Sequence, residues 1–126
     1  MAARLTEICV DCSDPDRLAE FWSAVLGWPV GERDEDSVEL IGPPGWPTLL
    51  FIQVPEPKTV KNRLHLDVNA TDRDQQEEVD RLLALGATHA DVGQGEVSWV
   101  VLADPEGNEF CVLRSRVEPL DAPPTS

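Results

Sequence analysis

Few side chains in this sequence are suited to chemistry, and their spacing decides what each can do. Three cysteines, Cys9, Cys12 and Cys111, are the first. Cys9-Val10-Asp11-Cys12 is formally a CxxC, but a redox pair of that spacing opens a helix, and a zinc pair needs a second Cys/His pair elsewhere. Here the run reads as a strand, in which residues three apart point to opposite faces. Two buried thiols in a strand is the reading that follows, and the odd count argues against a disulfide framework. Glu7 precedes them and shares a strand face with Cys9 and Asp11. A carboxylate buried on that face requires a partner, because an unpaired buried charge is costly.

His65 stands between Leu64 and Leu66. Arg63 and Asp67 lie on its own strand face, so the expectation is a hydrogen-bonded histidine oriented by one of them. Cys111 reads as a small buried thiol. Leu49, Phe51 and Gln53 alternate onto one face, with Gln53 the polar member. Of four tryptophans, Trp22 falls on a helical apolar face, Trp28 and Trp46 each precede a proline, and Trp99 lies in a strand where it can line a pocket. Aromatic walls in acidic surroundings suit a planar or cationic organic ligand through stacking and cation–π contact. The sequence contains no P-loop, GxGxxG, nucleophile elbow or Ser/His/Asp ordering.

Two halves of the chain position these residues with the same order of elements. The first opens with Leu5–Cys12, whose even positions Ile8, Val10 and Cys12 suit a buried strand face. Asp14 caps a helix begun by Pro15, with apolar residues at Leu18, Phe21, Trp22, Val25 and Leu26, and Gly27 ends it. Strand-like runs follow near Ser37–Ile41 and Thr48–Val54, around the turn Gly42–Pro47. In the second half Arg63–Val68 alternates as a strand with Leu64, Leu66 and Val68 expected to be buried. Thr71-Asp72 is expected to cap a helix whose apolar face is Val79, Leu82 and Leu83, closed by Gly86. Val97–Ala103, the turn Asp104–Asn108 and Phe110–Arg114 complete it.

Composition sets the bounds. The 126 residues fit one domain, with 41% hydrophobic and 27% charged residues. Twenty-four acids against 10 bases give a net charge of −14, which repels phosphate backbones and anionic lipid, so no nucleic acid and no membrane partner is expected. No apolar run approaches the ~18 residues of a membrane span, and the start lacks the apolar stretch of a secretion signal, so a cytoplasmic protein is expected.

The step Asp14-Pro15 into a helix with Phe21-Trp22 and then Leu26-Gly27-Trp28, together with Asn62–Val68 and Asp104-Pro105-Glu106-Gly107-Asn108-Glu109-Phe110-Cys111, resembles the glyoxalase-like proteins of the vicinal oxygen chelate superfamily. The resemblance implies an α+β fold of two tandem βαβββ modules, each a half-open curved sheet, around a concave cavity. It places one glyoxalase-like domain at residues 1–116, with module one at 4–54, a linker at 55–61, module two at 62–115 and a flexible tail at 117–126. A homodimer is also implied.

Metal-binding members carry four cavity ligands, and the matching positions are Glu7, His65, Cys111 and a fourth at Leu49 or Phe51. An apolar fourth position leaves the set incomplete, so no metal is the expectation; a divalent ion, if held, would take Glu7, His65 and Cys111. Independently of any metal, Glu7 and His65 are the pair that could act as a general base on a bound substrate. The ligand-binding set implied is Glu7, Phe51, Gln53, His65, Asp67, Trp99 and Cys111. The expected function is binding of a small organic ligand, cationic or aromatic, without a complete metal site. The alternative is a metal-dependent lyase, isomerase or dioxygenase.

Overall fold

A computed structural model describes residues 2–90 and 97–120. Its contacts divide into two compact units, with the boundary between Pro57 and Lys58. Each contains one helix and one open, mixed four-stranded sheet, the α+β arrangement of two tandem βαβββ modules.

The first unit runs β1 (Glu7–Cys12), α1 (Pro15–Leu26), β2 (Val30–Arg33), β3 (Ser37–Leu40) and β4 (Thr48–Gln53), with strand order β1-β4-β3-β2. Helix α1 begins and ends where its sequence dictates. The Asp14 carboxylate accepts from the Arg17 amide at 3.2 Å, Pro15 takes the first turn, and Gly27 closes the helix at φ 73°. Its apolar stripe buries Leu18, Phe21 and Trp22 against β3 and β4. Strands β1 and β4 pair in parallel, Ile8 with Leu49 and Val10 with Phe51. Those four side chains face the helix with Cys12, whereas Glu7, Cys9 and Asp11 share the other face with Thr48, Leu50 and Ile52, so Cys12 is buried as expected but Cys9 is exposed. Strand β2 carries no strand signal in its residues: Val-Gly-Glu-Arg is short and polar, and its pairing to β3 is irregular.

The second unit runs β5 (Leu66–Val68), α2 (Gln75–Leu85), β6 (Thr88–His89), β7 (Val100–Ala103) and β8 (Glu109–Val112), in the order β5-β8-β7-β6. Two expectations are corrected here. Strand β5 starts only at Leu66, and Leu64, expected inside, is 88% exposed, because ladder pairing with β8 begins at Leu66 opposite Phe110. The cap of α2 is Asp74, not Thr71-Asp72. Its carboxylate accepts from the Glu77 amide at 2.8 Å while the Glu77 carboxylate accepts from the Asp74 amide at 3.2 Å, a reciprocal pair that satisfies two free donors. Asp72 pairs with Arg73 instead.

The turn between β7 and β8 is held from inside. The buried Asp104 carboxylate accepts from the Glu106 and Asn108 amides at 2.9 and 3.0 Å, and Gly107 supplies the left-handed φ of 87°. Glu109, the first residue of β8, then ties down Lys58 of the expected linker and Asn62 just after it. Its carboxylate accepts from Lys58 Nζ at 2.8 Å and from the Asn62 amide at 2.9 Å. The expected tail is tied at its first residue, where the Val117 amide donates to the Ala70 carbonyl, and just before it Asn69 Nδ2 donates to the Ser115 carbonyl; residues 121–126 lie outside the described residues.

Candidate functional site

The parallel pairing of β5 with β8 fixes the geometry of the site. Leu66 opposes Phe110, Asp67 opposes Cys111 and Val68 opposes Val112. Because side chains alternate, Phe110 and Val112 turn to one face of the sheet, and Asp67 and Cys111 to the other. The antiparallel ladder adds Val101 opposite Cys111, on the same face. Two residues either side along the strands come Glu109 and Leu113, and before β7 comes Trp99. This face lines a cavity of about 320 Å³ bounded by Lys61, His65, Asp67, Trp99, Val101, Glu109, Cys111 and Leu113, all in the second unit.

One end of the cavity is polar. His65 Nδ1 lies 3.2 Å from Asp67 Oδ1, and one donor atom each of His65, Asp67 and Cys111 lies within 4.8 Å of the others. His65 and Asp67 are half-exposed, while Cys111 is only 7% exposed. Burial pushes the Cys111 thiol above its ordinary pKa, and the Asp67 carboxylate, beside it and hydrogen-bonded to it, acts in the same direction; the Lys61 ammonium partly offsets both. The thiol is therefore a hydrogen-bond donor at neutral pH rather than a free nucleophile.

The other residues set charge and shape. Burial alone would raise the Glu109 carboxyl, but hydrogen bonds from Lys58 and the Asn62 amide hold it below its usual value. Glu109 is thus a charged group already satisfied by the protein. Gln75 Nε2 donates to the Ser98 carbonyl at 2.8 Å and the Val112 carbonyl at 3.0 Å, tying the segment before Trp99 to the end of β8.

Of the residues expected to bind a ligand, His65, Asp67, Trp99 and Cys111 are brought together here. Phe51 and Gln53 are not on a comparable face. Phe51 is 1% exposed in the core beneath α1, and Gln53 continues that face and donates to the Ser13 carbonyl. The first-unit position that matches Cys111 is instead Leu50, which pairs with Cys9 as Cys111 pairs with Asp67. Leu50 is neither of the two residues, Leu49 and Phe51, expected at that position, and its side chain has no donor atom. Glu7 is exposed on β1, and the carboxylate beside His65 is Asp67. Trp28 and Trp46 make an edge contact with each other at 6.1 Å within the first unit. Lys61, Val101, Glu109 and Leu113 are lining residues outside the expected set. Alternation from Cys111 points to Glu109 and Leu113, whereas Val101 follows only from the β7–β8 register, which the sequence does not carry.

The three donors fit a cation in chemical type. An imidazole nitrogen, a carboxylate oxygen and a thiolate suit zinc and its borderline-soft neighbours, and three protein donors with an open position is the pattern of a catalytic zinc.

Solved structures share this fold. A glyoxalase/bleomycin resistance protein/dioxygenase family enzyme from Burkholderia phytofirmans superimposes with a TM-score of 0.64 at 23% identity, over 87% of this chain and 97% of that one. The fosfomycin resistance protein FosX from Listeria monocytogenes gives a TM-score of 0.69 at 14% identity, over 93% and 94% of the two chains. FosX from Mesorhizobium loti gives 0.65 at 16%, over 93% and 95%. A mutant of the Listeria protein was solved with Mn(II) and 1S,2S-dihydroxypropylphosphonic acid. At these identities the likeness is one of fold. No curated protein matches the sequence. The model of the glyoxalase-like domain, however, matches residues 7–113, and with the two tandem β-sheet modules described above the chain belongs to that family, within the vicinal oxygen chelate superfamily.

Proposed function

We propose that this protein binds a small organic molecule in the cavity of its second unit. The apolar body of the ligand lies against Trp99, Val101 and Leu113, and its polar end meets His65, Asp67 and Cys111. The observation that carries this reading is a cavity of about 320 Å³ with an apolar wall and three convergent polar side chains at one end. That volume is in the range of small-ligand sites, and the composition is the usual one for them. Trp99 offers a face for an aromatic or cationic group, and Asp67 a charge for the latter.

Within this reading, His65 is the group that takes or gives a proton. Asp67 next to Nδ1 favours the tautomer with the proton on that nitrogen, leaving Nε2 as an acceptor for a ligand hydrogen. Of Arg63 and Asp67, the two neighbours from which the sequence leads one to expect that orientation, Asp67 takes the part in this reading.

The donor cluster favours a second reading, a metal-dependent lyase, isomerase or dioxygenase. His65, Asp67 and Cys111 would hold the ion, which would supply Lewis-acid polarisation of a substrate oxygen. We further propose a homodimer, which light scattering would test, and a cytoplasmic location. The described residues include no helix long and apolar enough to cross a membrane.

The test is a panel of aromatic amines and neutral aromatic compounds screened by thermal shift and tryptophan fluorescence. Hits should raise the melting temperature of the wild type and lose that effect in Val101→Phe, which fills the cavity. Hits that stabilise both proteins equally would place the ligand elsewhere and sink the reading.

A further inference from the structure

The resemblance that the sequence carries implies a metal set drawn from both halves of the chain, with Glu7 as a ligand. The structure supports a different set. Asp67, two residues beyond His65 on the same face, pairs in register with Cys111, and the three donor atoms lie within 4.8 Å of one another in a single unit. A tetrahedral zinc with bonds of ~2.0–2.3 Å needs donors about 3.3–3.8 Å apart, so only side-chain rotation is required to close the set. His65 and Asp67, half-exposed, are free to make that adjustment. Cys111 is fixed in β8 and forms the floor.

We propose that His65, Asp67 and Cys111 form a self-contained, three-donor site selective for zinc over manganese, with its remaining coordination position open to the cavity. It deepens the metal-dependent reading above by naming the ion, and it rests on the organic-ligand reading only for what would occupy the open position. The selectivity follows from the donors. A thiolate favours zinc, whereas manganese prefers carboxylate, carbonyl and water oxygens. On binding, the Cys111 thiol gives its proton to solvent and its sulfur becomes the third ligand. The charge of the occupied site is then balanced by the thiolate and the Asp67 carboxylate, without Glu7.

The test uses the full chain freed of metal with a chelator, then titrated calorimetrically with zinc and, separately, with manganese. One zinc per chain is expected, bound on the order of 100-fold or more tighter than manganese. Asp67→Asn and His65→Ala should each weaken zinc at least about tenfold, and Glu7→Gln should leave it unchanged. Cobalt offered in place of zinc should give a thiolate-to-metal charge-transfer band that Cys111→Ser abolishes. Because Cys111 is buried, circular dichroism of that variant is checked first, and the half-exposed Asp67→Asn serves if it fails to fold. No zinc binding, equal affinity for manganese, a cobalt spectrum without a thiolate band, or loss of zinc in Glu7→Gln would each overturn the proposal. Any of these outcomes leaves the organic-ligand reading intact if the aromatic panel still binds metal-free protein.

Discussion

Asp67 and Cys111 are register partners on neighbouring parallel strands, and the carboxylate stands beside the buried thiol. The pairing places a titratable thiol where burial and a negative neighbour both oppose its ionisation.

The consequence is measurable in the absence of metal. Cys111 has its folded pKa raised above the unfolded value, so its stabilising contribution is complete below the ordinary thiol pKa and is lost as pH rises through the folded one. Urea unfolding in chelator should show the wild type losing stability in the alkaline range. The difference between wild type and Cys111→Ala should shrink over the same range. Parallel curves would mean that the thiol is not held neutral by its surroundings.

Glu109 behaves in the opposite sense. Its folded pKa is lowered by the net effect of hydrogen bonds from Lys58 and Asn62 over burial, so its contribution is present above the unfolded carboxyl value and is lost as pH falls through the folded one. Glu109→Gln should destabilise by roughly 1–3 kcal/mol at neutral pH, as expected for a hydrogen bond to a charged group, and by much less in acid. Chemical denaturation at the two pH values checks this. An equal loss at both would remove the charge from the explanation.

Trp99 stands at the mouth of the cavity with about 40% of its surface exposed. Its replacement by alanine should leave the melting temperature nearly unchanged while weakening an aromatic ligand about two- to tenfold, the usual worth of one stacking contact. Fluorescence titration of the remaining tryptophans in Trp99→Ala, with a panel hit, reads that loss. Unchanged affinity would exclude the ring from the ligand's path.

Much of this arrangement is legible in the order of the residues, and the parts that are not have definite causes. Helix α1 can be read to the residue, because Asp14, Pro15, the spaced apolar side chains and Gly27 all agree. Helix α2 also carries its capping signature in Asp74 and Glu77, but Asp72 two residues earlier offers a competing cap. Strand β5 reads too long because alternation continues into Leu64, which has no partner strand to cover it. Phe51 and Gln53 fall on the wrong face by a single residue of register, which in a strand exchanges the two faces completely. His65 and Cys111 are found through motif positions. Asp67 is named for ligand binding but not as a metal donor, although its i+2 spacing from His65 already puts both on one face. The contact to Cys111 depends on a pairing 44 positions away in sequence, which alternation alone does not encode.

The most direct test of the account is amide chemical-shift mapping of the labelled protein with an aromatic amine drawn from the panel. The account predicts that the largest shifts cluster at His65, Asp67, Trp99, Val101, Cys111 and Leu113, and vanish in Val101→Phe. Shifts centred instead on Phe51 and Gln53, or persisting unchanged in Val101→Phe, would contradict it.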